Sequence, residues 1–314
     1  MKPVIKTVLI TGGAGFIGSH LVDLLIADNY QLVILERQGT DLSRIESHLK
    51  KIKVYYSDKS GISEAFKENK IDCVIHLATR YLKTHQGLDD VDSIVDTNIK
   101  FSSQLLELCL KTGVKYFINT GTFFEYRMKK TPISEEDPKQ AYNLYAASKL
   151  AFEEILKFYA DSADIRIIDF KLFAPFGDRD NDKLISYLVQ TLNSGQAADF
   201  SGGEQRWNFT YVKDIARAYL SALKNFDRIK KYELVNVGYE KAVSIKKIAA
   251  ILEKISGKKY KLRWGAKPYS KNEIHYANAD ISKLKKLLYY RQKYTLEEGL
   301  KATYEYFSLE RSKK

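Results

Sequence analysis

At 314 residues, 45% hydrophobic and 29% charged, the chain has the composition of a globular protein with a large core and room for a second, smaller lobe, which excludes disorder and collagen-like repeats. No window reaches the roughly 18 consecutive apolar residues of a membrane span, and Met1-Lys2-Pro3-Val4 runs straight into a strand pattern, so a cytosolic protein with no membrane partner is expected. The net charge of +12 lies in residues 241–314, which hold 19 Lys+Arg against 7 Asp+Glu and leave 32 of each sign before them; scattered lysines with few arginines read as solvated helix faces or a lobe for an acidic small ligand, and not as a nucleic-acid surface.

Along the first 170 or so residues, short apolar runs alternate with longer helical patterns. Val4 to Ile10, Gln31 to Leu35, Ile52 to Tyr56, Cys73 to Ala78, Tyr116 to Thr120 and Arg166 to Leu172 read as strands; Ser19 to Asp28, Val91 to Leu110 and Tyr142 to Tyr159 read as helices. This order predicts an α/β fold, a doubly wound parallel sheet of the Rossmann kind, with residues 1–172 as a dinucleotide-binding domain. After Leu172 the rhythm breaks at the loop Phe173-Ala174-Pro175-Phe176-Gly177, followed by helix, the Ser201-Gly202-Gly203 turn, a strand-like Phe209 to Val212 and helix again. Residues 173–314 are expected to form mainly a substrate-binding lobe, with some segments returning to the sheet. Cys73 and Cys109 sit inside apolar runs as buried thiols, and neither a disulfide framework nor a metal site is expected.

Strand one runs into Thr11-Gly12-Gly13-Ala14-Gly15-Phe16-Ile17-Gly18 and then a helix, the context that a phosphate-cradling glycine loop requires. Gly12 permits a tight turn, Gly15 lets backbone N–H groups approach a pyrophosphate at the helix N-terminus, and Gly18 allows helix and sheet to pack closely. Glu36 closes strand two, placed for its carboxylate to accept both hydroxyls of an adenosine ribose, which favours NAD. Arg37 next to it keeps NADP open through a 2′-phosphate, and Asp58 is placed to reach the adenine edge.

Tyr145 and Lys149 are four apart in a helical segment and so share one face. A phenol has a pKa of about 10; bringing it near neutral takes roughly 3 units, about 4 kcal/mol, which a close ammonium in a dry site would supply. Tyr145 and Lys149 follow a dinucleotide loop and a fifth strand ending in Asn119-Thr120-Gly121-Thr122.

With these motifs the chain resembles the extended short-chain dehydrogenase/reductase family, the NAD-dependent epimerase/dehydratase group acting on nucleotide-diphosphate sugars. The resemblance also covers His76-Leu77-Ala78, Asp96-Thr97-Asn98, Thr120 to Tyr126, the Phe173 to Gly177 loop, Phe209 to Asp214 and Ala279-Asp280-Ile281-Ser282. It implies Thr122 as the hydroxyl that orients the substrate oxygen, Tyr145 as acid/base, Lys149 as its tuner and ribose clamp, and Asn98 as a supporting helix residue. It further places Phe16, Ile17, Leu77, Ala78, Thr79, Thr120 and Leu172 around the cofactor, and Arg80, Phe123, Phe124, Ala174, Arg206 and Asn208 around the substrate. Arg80, Tyr81 and His85 follow strand four as sugar contacts. A homodimer through a four-helix bundle is implied as well, since the helices Val91 to Leu110 and Tyr142 to Tyr159 carry apolar residues on more than one face.

Family dehydratases carry Asp-Glu directly after the orienting hydroxyl, because elimination of water needs an extra acid and base. Phe123-Phe124 stand there instead, and Glu125 comes one place late, so a 4,6-dehydratase is disfavoured. Family members often have Asn where Ala174 stands and Arg where Trp207 stands, with Arg206 here shifted by one. Lys271-Asn272-Glu273-Ile274-His275-Tyr276 and the following Ala-Asn-Ala-Asp resemble the branch of CDP-paratose and CDP-abequose synthases, reductases of 4-keto-6-deoxy sugars. Reduction at C4 leads, 4-epimerisation or 4-oxidation is the alternative, and a non-catalytic NAD(P)-binding sensor is a third class.

Overall fold

The computed structural model describes residues 5–57, 61–181 and 183–311. Six parallel strands arise in the first 172 residues: β1 Thr7–Thr11, β2 Gln31–Glu36, β3 Lys53–Tyr56, β4 Cys73–His76, β5 Tyr116–Thr122 and β6 Arg166–Leu172. Between and after them run helices α1 Phe16–Ala27, α2 Gly61–Glu68, α3 Leu88–Val95, α4 Ser102–Thr112 and α5 Leu144–Ser162. Beyond residue 172 come β7 Pro175–Phe176, α6 Leu184–Ser194, β8 Ala197–Phe200, β9 Arg206–Trp207, β10 Thr210–Tyr211, α7 Val212–Lys224 and β11 Tyr232–Val237. The chain finishes with β12 Val243–Ser244, α8 Ile245–Ser256, β13 Lys261–Trp264, β14 Tyr276–Ala277, α9 Ser282–Leu288 and α10 Leu296–Arg311.

The strands are apolar on both faces because both are covered. Val8, Ile10, Ile34, Ile75, Ile118 and Ile168 point into one core with α1 and α7. Their alternates Leu9, Val33, Val74, Phe117 and Ile167 point into another with α2, α4 and α5. The sheet order is β11-β6-β5-β4-β1-β2-β3, so the chain reverses direction across the sheet between β1 and β4. A crevice beyond the carboxyl ends of the strands, at that reversal, is where such sheets hold ligands. β11 is the segment past residue 172 that joins the sheet, pairing in parallel with β6 from Tyr232↔Ile167 to Val237↔Leu172. A third core gathers Ile185, Leu188, Phe200, Phe209, Ile248, Leu252 and Leu300 into the smaller lobe.

Several boundaries differ from expectation. α1 starts at Phe16, three residues early, because its N-cap is Gly15. The helix expected from Val91 is α3 and α4 joined through a π-helical turn, Asp96–Phe101, centred on the buried Asn98; such widened turns often mark functional positions. The Phe173 to Gly177 loop contains β7, which pairs with β10. Among the described residues no helix is long and apolar enough to cross a membrane.

Candidate active site

The glycine loop is built for close approach. Gly12 has φ +71° and a Cβ there would stand 2.9 Å from the Ala78 backbone nitrogen; a Cβ on Gly18 would stand 2.1 Å from the Gly12 carbonyl oxygen. No side chain caps α1 at Gly15, so its first N–H groups face the crevice with a positive helix end. Glu36, at the end of β2, accepts the Ala14 N–H at 2.7 Å, which fastens the loop to the strand that bounds the ribose end. Burial raises its pKa, and the Ala14 and Gly13 N–H groups and Arg37 partly offset this. Arg37 is exposed, and Asp58 lies outside the described residues. Gly18→Ala should cost about 1–3 kcal/mol through overpacking against backbone and at least tenfold in dinucleotide affinity; a fluorescence titration with unchanged affinity would contradict the role given to the loop.

Beside the loop, a buried polar row crosses the sheet where register aligns Thr11, His76, Asn119 and Asp169. The Thr11 hydroxyl meets His76 Nδ1 at 2.8 Å and accepts the Ala78 N–H at 3.1 Å. Asn98 extends this order to the segment after β4. Its Oδ1 accepts the Thr79 hydroxyl at 3.0 Å and the Arg80 N–H at 2.8 Å, and its Nδ2 donates to the Arg80 carbonyl and the Ser148 hydroxyl. All its polar capacity faces protein, so Asn98 ties the strand-four segment to α5 and is a positioning residue. The Arg80 guanidinium turns toward Asp90, and His85 is exposed.

Asn143 caps α5 by accepting the Ala146 N–H, and the capped first turn carries Tyr145. Tyr145 is 7% exposed, Lys149 2%, Thr122 8%. The Tyr145 hydroxyl bonds the Thr79 side chain, and Tyr81 sets its ring edge against the Tyr145 ring at 5.0 Å. The Thr122 hydroxyl accepts the Phe124 N–H at 3.3 Å, leaving its own proton to donate. Leu77, Ala78 and Leu172 sit at the strand ends as expected, whereas the Thr120 hydroxyl is engaged by Tyr219 at 2.7 Å.

The influences on the Tyr145 phenol are led by its burial. Burial pushes the phenol above its ordinary value, Glu125 and Tyr81 add to this, and the opposing influences are Thr79 and Lys171. Lys149 is itself pulled down to about 8 by burial, with Glu125 and Asp169 partly restoring it. At neutral pH the phenol is therefore a proton donor.

Around Thr122 stands an aromatic wall. Phe123 lies 4.3 Å from Phe124, stacks on Phe173 at 5.3 Å and meets Trp207 at 5.9 Å; Phe124 stacks on Tyr142 at 5.2 Å. Ala174 holds φ +29°, a left-handed conformation that costs a non-glycine residue energy and that asparagine tolerates better. Two residues expected around the substrate are placed as follows. Arg206 and Trp207 are neighbours in β9 and point to opposite faces; Trp207 meets Phe123, while the exposed Arg206 reaches the Ala242 carbonyl. Asn208 is fully buried and its amide bonds Tyr239 and Asn278, so it fastens loops together.

Sequence reading missed the charges beneath this wall. Glu125 accepts the Thr122 N–H at 2.7 Å and pairs with the fully buried Lys171, which also holds Glu153 at 2.8 Å and Asp169 at 2.9 Å. The available signal was Asp169 and Lys171 themselves, two apart and hence on one face of a strand that is otherwise apolar after Arg166.

A glycine cradle at an uncapped helix, with a tyrosine, a lysine and a threonine beyond β4 and β5, defines an extended short-chain dehydrogenase/reductase, an enzyme. A family model for the NAD dependent epimerase/dehydratase family matches residues 8–238, and the chain belongs to that family, which includes nucleotide-sugar epimerases and reductases. It is 27% identical to the CDP-abequose synthase of Salmonella muenchen over 96% of this chain and 98% of that protein. It is 30% identical to the UDP-glucuronate 4-epimerase of Thermodesulfobacterium geofontis over 94% of each. Among solved structures, UDP-glucose 4-epimerase of Thermotoga maritima with UDP-glucose superposes with a TM-score of 0.86 at 26% identity, covering 97% of this chain and 99% of that one. A variant UDP-glucuronic acid 4-epimerase of Bacillus cereus, in complex with UDP-4-deoxy-4-fluoro-glucuronic acid and NAD, gives 0.85 at 28% identity, covering 96% and 99%.

Proposed function

We propose that the protein reduces the C4 ketone of a nucleotide-diphosphate-linked 4-keto-6-deoxy sugar with NAD as its cofactor. The observation that carries this reading is a buried, protonated phenol on α5 together with a threonine hydroxyl and an aromatic wall at the end of β5. A proton donor suits reduction, and apolar rings suit a C6 methyl better than a hydroxymethyl or carboxylate. The likeness to CDP-abequose synthase over nearly the full chain supports the same direction. Glu125 is ion-paired with Lys171, so it is not free to serve an elimination.

The glycine cradle fits the pyrophosphate, Glu36 the adenosine ribose hydroxyls and Lys149 the other ribose. The bound nicotinamide cofactor would supply the hydride as NADH, or take one up as NAD. Thr122 donates a hydrogen bond to the C4 oxygen and fixes it beside Tyr145, which gives that oxygen its proton as the carbonyl carbon is reduced. A second reading, 4-epimerisation by the same groups, is supported by the 4-epimerases among the relatives and solved structures. A homodimer belongs to this reading: Leu88, Val95 and Phe158 leave large apolar side chains exposed on α3 and α5, where a second copy would pair.

Purified enzyme given a nucleotide 4-keto-6-deoxy sugar and NADH should consume NADH in equal amount to substrate, followed at 340 nm. Interconversion of C4 epimers without net change in absorbance would select the second reading.

A further inference from the structure

The buried Lys171 ammonium pairs with carboxylates from three segments, as many as it has N–H donors: Glu125 from the turn after β5, Asp169 of its own strand at 2.9 Å, and Glu153 of α5 at 2.8 Å. Well-packed apolar residues in place of such a cluster are often as stable or more so, so stability alone does not account for it. Asp169 is completed by the Asn119 amide at 2.9 Å and the Tyr232 hydroxyl at 3.0 Å, and Glu153 by Lys157 at 2.8 Å. Glu125 alone turns its second oxygen toward the candidate site, where it accepts the Thr122 N–H at 2.7 Å.

That contact closes a capping box. Thr122 is the extended N-cap of the short 3₁₀ turn Phe123–Glu125; its hydroxyl oxygen accepts the Phe124 N–H, and the Glu125 carboxylate returns to its backbone N–H. Thr122 is thus held at both its nitrogen and its side-chain oxygen, and only the hydroxyl hydrogen is left to aim. A capping carboxylate at a surface is free to rotate, whereas this one is fully buried and anchored at its other oxygen by a cation. The residue before Thr122 is cut down to let it pass: a Cβ on Gly121 would stand 2.6 Å from Glu125 Oε1 and 2.8 Å from Lys171 Nζ.

We propose that Glu125 is a positioning residue and Lys171 its anchor: the pair fixes the backbone of Thr122, and with it the direction in which the Thr122 hydroxyl meets the C4 oxygen. Glu153 brings α5, the helix that carries Tyr145, to the same ammonium. The residue that orients the oxygen and the residue that protonates it are thereby tied to one buried cation. This rests on the catalytic reading of Thr122 given above.

Two substitutions at Glu125 separate reach from charge. Glutamine keeps the length but has one acceptor oxygen in place of two, so it serves Lys171 or the Thr122 N–H and not both; aspartate keeps the charge but is one methylene too short to span them. With NADH and a nucleotide 4-keto-6-deoxy sugar, Glu125→Gln and Glu125→Asp should each lower kcat about 10- to 100-fold, the scale of a misplacement near 1 Å. In a Thr122→Val background, where no hydroxyl remains to be aimed, the same substitutions should change kcat by less than about twofold. Hydrogen–deuterium exchange of the full-length protein without ligands, read by mass spectrometry, should show the Thr122 amide exchanging about tenfold faster in both variants while the β1 amides keep their protection. Losses of equal size with and without the Thr122 hydroxyl overturn the proposal, as does parental turnover in Glu125→Asp or an unchanged Thr122 amide in a folded variant. Glu125→Asp decides the matter if Glu125→Gln does not fold. Thr122→Val with parental turnover would instead sink the catalytic reading of Thr122 and the proposal with it, whereas equal losses in both backgrounds leave that reading standing.

Discussion

Replacing Tyr145 by phenylalanine should lower kcat about 10³-fold, within the range that a positioned general acid contributes, while cofactor affinity stays within about a factor of two. Burial keeps the phenol protonated, and phenylalanine keeps the ring against Tyr81 at nearly the same volume. What disappears is one hydroxyl and its bond to Thr79, worth about 1 kcal/mol of stability, so the variant should fold with little change in melting temperature. An interaction made only as charge develops on the C4 oxygen lowers kcat and kcat/KM together, and that pattern is expected here. Turnover within tenfold of the parent would remove Tyr145 from the mechanism. A large rise in KM with kcat unchanged would make it a binding group.

The parts of this site that sequence exposed are those where local chemistry dictates structure. The glycine loop was legible because Gly12 and Gly18 have no alternative: each stands where a Cβ would meet backbone. The six early strands were legible because a parallel sheet covered on both faces demands unbroken apolar runs. The start of α1 was placed three residues late because an extended Gly15 begins the helix without a capping side chain. β11 was hidden because Tyr232–Val237 follows basic residues and its outer half is only partly buried, so its apolar signal is short. The π turn at Asn98 was unreadable, since it depends on Thr79, Arg80 and Ser148 arriving from two other segments. The electrostatic surroundings of Tyr145 and Lys149 were hidden for a similar reason. Spacing puts it near Tyr145, but the dominant influences on both come from burial and from Glu125, which arrives from another segment of the chain.

Glu125 also shows how a residue judged one place late acquires a different task. Placed directly after Thr122 it would face substrate; three residues on, at the end of a 3₁₀ turn, it folds back to accept the Thr122 N–H and turns its other oxygen to Lys171.

Lys171→Met should destabilise the protein by about 3–5 kcal/mol, the cost of leaving buried charges without their partner. Methionine is close to lysine in length and volume, so little of the effect should come from a cavity. The pH dependence identifies the cause. In the parent, the carboxylates hold Lys171 well above its ordinary value despite burial, so its contribution is fully present below an unfolded pKa of about 10.5 and is lost only as pH rises through the higher folded one. In the variant the sign reverses. Glu125 would lose the cation that opposes its burial, and Glu153, now held down to about 2 by Lys171 and Lys157 against burial, would rise as well. Acids whose folded pKa exceeds the unfolded value bind more protons in the native state, so stability falls as pH climbs from about 4 upward. Urea denaturation should therefore show a smaller gap between parent and variant at pH 5 than at pH 8. An equal gap at both would mean that the loss is one of packing.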